Sequence, residues 1–100
     1  MPAEVALPRP VSVRLHFAEL DDVKRGQRVF DVKLGGVTVL KDFDVVRAAR
    51  GGHRALVRQF DGIMATRTVT IELVPKAAEL TPTTAPILSA IEILPPGRPE

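Results

Sequence analysis

The chain has 100 residues, 45% of them apolar and 26% charged, which suits one globular domain and is too apolar for a disordered chain. It contains no Cys, Trp or Tyr, so disulfide frameworks, thiolate metal sites and cysteine nucleophiles are excluded. The net charge of +2 is a mild basic balance, and Pro, Asp or Arg interrupts every apolar run short of the ~18 residues a membrane-spanning helix needs. The opening Met1-Pro2-Ala3-Glu4-Val5 lacks the basic-then-apolar order of a secretion signal.

Apolar residues alternate along most of the chain, which is the period of a strand. After the breaker Pro8-Arg9-Pro10, Val11, Val13, Leu15 and Phe17 point one way, with Ser12, Arg14 and His16 opposite. Residues 20–27 are polar, contain Gly26 and read as a loop. Phe30, Val32 and Leu34 alternate up to Gly35-Gly36, and Val37, Val39 and Lys41 follow on one face with Thr38 and Leu40 between them. Two glycines between alternating runs predict a hairpin, because a type I′ turn needs positive φ at both central positions. Residues 41–46 extend or bend the return strand, with Phe43 packing inward between Asp42 and Asp44, whose carboxylates face water or cap a turn.

Gly51-Gly52 break the pattern, and residues 53–60 resume it with Leu56 and Phe60 inward. Asp61-Gly62 predicts a turn, and residues 66–74 a strand with Val69, Ile71 and Leu73 on one face, ended by Pro75. Residues 76–86 form a loop, and residues 87–94 a last strand closed by Pro95-Pro96-Gly97. Several short strands with no sustained helical period predict an all-β fold, an antiparallel sandwich or barrel.

No phosphate loop, dinucleotide fingerprint or nucleophile elbow is present. His16 and His53 lie far apart without metal-ligand spacing, so neither a metal site nor a catalytic centre is expected. Arg47, Arg50, Arg54 and Arg58 recur at helical spacing, but Gly51-Gly52 interrupts them and no aromatics are interleaved for base stacking. They predict a solvated basic loop, and nucleic acid is not an expected partner.

Three blocks taken in order carry a resemblance. VRLHFAE at residues 13–19, GQRVFDV at 26–32 and GVTVLKDFD at 36–44 are similar to the malectin domain, and residues 68–73 and 86–93 look like its last two strands. The likeness spans roughly residues 10–95, leaving 1–9 as an N-terminal extension and 96–100 as a tail. It implies a jelly-roll-like, galactose-binding-like β-sandwich that binds carbohydrate without catalysis or cofactor. Such domains include an endoplasmic-reticulum lectin for glucosylated N-glycans and parts of plant receptor kinases and bacterial extracellular proteins, so an extracellular or periplasmic setting is implied.

The family domain begins well before the VRLHFAE strand, whereas only Met1 to Arg9 precede the domain here. The expectation is therefore the C-terminal part of a malectin domain, covered by the missing half or by a second copy of itself. The family's Tyr-Phe pair after FAE corresponds to Asp21 and Asp22, and its late acidic residue to Thr84. Glu19, Asp21, Asp22 and Thr84 are the expected carbohydrate contacts, for a glucose-containing oligosaccharide. The four phenylalanines Phe17, Phe30, Phe43 and Phe60 are the available stacking platforms, but all fall in strand-like segments where core packing is expected. The alternative expectation is a structural or protein-interaction sandwich that has lost the sugar pocket.

Overall fold

The computed structural model describes residues 7–95. The expected extension is thus outside the described residues up to residue 6, and the tail 96–100 lies outside them entirely. Among the described residues the chain forms six strands and one short helix: β1 (Arg9–Ala18), β2 (Val29–Leu34), β3 (Val37–Asp44), α1 (Val45–Ala49), β4 (Ala55–Ala65), β5 (Ile71–Pro75) and β6 (Ala90–Leu94). They make two antiparallel three-stranded sheets, ordered β4-β1-β6 and β3-β2-β5. The fold is an all-β sandwich. Only β2 and β3 form a hairpin; every other connection crosses between the sheets.

Alternation on the two central strands builds the core. Val13, Leu15 and Phe17 of β1 face Phe30, Val32 and Leu34 of β2, each at most 1% exposed. Burial of each stabilises the fold by about 1.5–3 kcal/mol. Phe43 completes an aromatic cluster, its ring centroid 4.9 Å from Phe17 and 5.9 Å from Phe30. The hairpin turns at Gly35 (φ 58°) and Gly36 (φ 84°), the positive pair that a type I′ turn requires.

Several expectations are corrected. Asp61-Gly62 is not a turn: β4 runs through it, and an irregularity in the β1–β4 register between Val11 and Val13 absorbs Gly62 at φ 69°. The strand expected from residue 66 begins only at Ile71, and that expected from residue 87 begins at Ala90, although Ile87 and Leu88 pack on the core. In β3, two register shifts bring both Val39 and Leu40 against the core, so its alternation is broken. The chain also turns into α1 where no helix is expected. Asp44 caps it, its carboxylate accepting from the Arg47 N–H at 3.2 Å, and Arg50 ends it at φ 61°. Asp44 therefore caps as expected, but it is buried rather than facing water.

One side of the sandwich is less covered. Phe17 of β1 meets Phe30 of β2, and the Arg58 guanidinium of β4 lies 5.8 Å from the Phe43 ring centroid of β3, so β6 lies across from β5. Ile91 and Ile93 pair with Leu15 and Val13 and share their inner face, yet they remain 46% and 49% exposed. Across from them Ile71 and Leu73 are half-buried. β5 and β6 each have one neighbour among the described residues, so this side carries two open backbone edges over apolar side chains.

Burial sets the cost of truncation along these strands. Phe30→Ala is expected to lower stability by about 3–5 kcal/mol, and Ile93→Ala by less than about 1.5 kcal/mol. Urea denaturation followed by circular dichroism measures both, and equal losses would contradict this layering.

Candidate functional site

The register gathers three crossovers at one end of the sandwich. Ala18, the last residue of β1, lies beside Ala55, the first of β4; Val29 at the start of β2 lies beside Asp44; Pro75 at the end of β5 lies beside Phe30. The connecting segments, residues 19–28, 45–54 and 76–89, therefore meet there. One backbone hydrogen bond joins two of them, the His53 N–H donating to the Glu19 carbonyl at 2.8 Å. Two tie the third to the strands, the Lys76 N–H donating to the Val29 carbonyl at 3.1 Å and the Ser89 N–H to the His16 carbonyl at 2.8 Å. The Gly26 N–H donates to the Asp44 carboxylate at 2.6 Å, which ties the first crossover to the cap of α1.

Arg28 is the hub of this end, and reading the sequence did not single it out. It is only 2% exposed. Its Nε donates to Glu19 Oε1 at 2.6 Å, and Nη2 donates to Glu19 Oε2 at 3.3 Å and to Asp21 Oδ2 at 3.2 Å. Nη1 donates to the Ala85 carbonyl at 2.6 Å. Glu19 is 1% exposed, and its Oε2 also accepts from the Asp21 N–H at 3.2 Å. A buried ion pair persists only when both partners are well hydrogen-bonded, as they are here.

The four expected contact residues thus have different surroundings. Glu19 is not at the surface; its carboxylate is committed to Arg28. The Asp21 side chain is 65% exposed, and one of its oxygens is held by Arg28. Asp22 is exposed and makes no side-chain hydrogen bond or ion pair among the described residues. Thr84 sits beside Ala85 on the facing loop, but its hydroxyl is occupied: it donates to the Glu79 carbonyl at 2.8 Å and accepts from the Thr81 N–H at 2.8 Å. Arg28 brings the Asp21 and Ala85 segments together, so Asp21, Asp22 and Thr84 belong to one rim. Phe17, Phe30 and Phe43 are committed to the core, and Phe60 packs partly buried against it.

Other polar groups lie elsewhere. On the outer face of β4-β1-β6, Ser12 donates to Asp61 at 2.6 Å, Gln59 Nε2 donates to Asp61 at 2.9 Å and Arg14 Nε donates to Gln59 at 3.0 Å. These donors, Ser12 first, hold the Asp61 carboxyl below its ordinary value. At β3, the Asp42 N–H donates to Asp31 at 2.8 Å and is the main cause of a lowered Asp31 pKa, with partial burial opposing it and Lys76 reinforcing it. Arg47, Arg50 and Arg54 are exposed around α1, while Arg58 sits over Phe43, so the four arginines form no stripe. No group of three or more His, Asp or Glu suited to a metal occurs among the described residues, and no helix there is long and apolar enough to cross a membrane.

A jelly-roll-like sandwich whose polar crossovers gather at one end defines a β-sandwich module with a loop-built rim. Residues 12–90 match the Malectin domain, and the chain belongs to that family. It is 39% identical over 87 residues to "Receptor-like protein 4" of Arabidopsis thaliana, covering 85% of this chain and 13% of that protein. A probable LRR receptor-like serine/threonine-protein kinase of the same plant is 30% identical over 95 residues, covering 83% of this chain and 9% of the kinase. The chain thus spans about a tenth of the length of these relatives. No solved structure matches it with comparable significance.

Two outcomes follow from this electrostatics. Glu19→Leu leaves the Arg28 charge short of its main buried partner and is expected to cost about 3–5 kcal/mol in urea denaturation. Asp31 and Asp61 titrate below their unfolded values, so their stabilisation is complete above about pH 4 and is lost as pH falls through their folded values. Converting both to Asn should flatten the acid limb of the stability profile, measured from about pH 6 to pH 2.

Proposed function

We propose that the chain is a non-catalytic carbohydrate-binding module of malectin type, set within a larger extracellular or periplasmic protein of glycan processing or adhesion. The ligand is a glucose-containing oligosaccharide, taken at the rim where residues 20–22 face residues 81–85. The observation that carries this reading is the bridge through Arg28, which joins those two loops at the crossover end of a malectin-family sandwich. Asp21 and Asp22 offer exposed carboxylate oxygens, which accept hydrogen bonds from sugar hydroxyls more strongly than neutral groups do. Glu19 serves from beneath, holding Arg28. Thr84 serves by shaping its loop.

A second reading, a structural or protein-interaction sandwich, has its own support. Three of the four phenylalanines are enclosed in the core, which removes them as stacking platforms, and Ile91 and Ile93 lie half-exposed beside open strand edges. Under this reading, the open side takes the remaining part of the domain or a second copy of the chain.

Titration with maltose under NMR separates the two. The sugar reading expects amide shifts at residues 19–22 and 81–85, abolished by the Asp21→Ala/Asp22→Ala double variant. Silence across a broad sugar panel with the fold intact favours the second reading. Light scattering should then find a dimer that Ile91→Lys/Ile93→Lys converts to monomer.

A further inference from the structure

We infer that Arg28 is a positioning residue of the rim. Its guanidinium fixes the separation between the 20–22 loop and the 81–85 loop, and so decides whether one ligand can touch both. The ligand part of this inference rests on the carbohydrate reading above; the mechanical part does not.

The bonding pattern exceeds what an ion pair requires. Nε and Nη2 already grip both oxygens of Glu19, which neutralises the buried charge. The remaining contacts reach outward from that anchor, Nη2 to the Asp21 carboxylate and Nη1 to the Ala85 carbonyl. A planar fork reaches three acceptors in three directions, whereas a lysine ammonium presents its donors from a single atom.

Both ends of the linkage are stiff. Glu19 is fixed by its carboxylate and also through its own carbonyl, which accepts from His53. At the far end, Thr84 bonds Glu79 and Thr81, the Thr83 N–H donates to Thr81 Oγ1 at 3.3 Å, and the Ala85 N–H donates to the Thr81 carbonyl at 3.0 Å. Residues 79–85 are thereby bonded to one another, and a pull on the Ala85 carbonyl moves the segment together. Arg28 is the only described side chain bonded to both loops.

The test uses the full chain carrying Arg28→Lys, with amide exchange and maltose titration read by NMR. The expected result is faster exchange confined to residues 79–86, unchanged protection at Leu15 and Val32, and maltose affinity lower by about tenfold. Asp21→Ala is the second variant, which keeps the test decisive if Arg28→Lys fails to fold, and it alters an exposed side chain 64 positions from Ala85. Loss of the Asp21 bond should shift the Thr84 and Ala85 amides, with Arg28 as the path between them. Should both variants perturb only residues 19–28, or core protection fall as far as loop protection, the positioning role is refuted. Loop loosening without maltose binding in the parent chain supports the clamp and refutes the sugar reading alone.

Discussion

The contact between the inner faces of β1 and β2 is the constraint on which the rest depends. Three side chains from each strand, in strict alternation, fill the space between the sheets. The same parity runs on beyond the apolar residues. Glu19 continues the series Val13, Leu15, Phe17, and Arg28 precedes Phe30, Val32, Leu34 in phase, so each charge is carried into the interlayer space. Two opposite charges brought to one buried end satisfy each other, and either alone would be costly there.

This parity makes the loop end of the sandwich an extension of its core. The pair Glu19–Arg28 sits where packing stops and the crossovers begin, and the outward donors of Arg28 carry order from the layers into the loops. The opposite arrangement prevails at β6. There the alternation is kept, but β5 across from it leaves Ile91 and Ile93 about half exposed, and the strand gains less from its apolar face.

Much of this was legible from residue order. The β2–β3 hairpin follows from Gly35-Gly36, the core from the alternation in β1 and β2, and the family from three blocks that survive in sequence. The parity of Glu19 and Arg28 is equally visible, but only the structure shows that the two positions meet, because one strand's alternation says nothing of its partner in the other sheet. Bulges were not legible. A Gly after Asp reads as a turn from one strand, and only the partner strand decides that Gly62 is absorbed within β4. The helix after Asp44 is a single turn, too short for any periodicity, and its one local signal was the capping carboxylate. The hydrogen bonds of Thr84 to Thr81 and Glu79 were not legible, because they are made by the loop's own conformation.

The two oxygens of Asp44 have a consequence for any ligand arriving at this end. One closes the first turn of α1 and the other receives the Gly26 amide, so the segment between β1 and β2 is fastened at Gly26 as well as at Glu19 and Arg28. A segment already fastened at three points has little freedom left to surrender on association. Under the proposed carbohydrate reading, recognition on this loop would therefore carry a small entropic penalty, with Asp21 and Asp22 supplying the outward-pointing atoms and no rearrangement of the chain required.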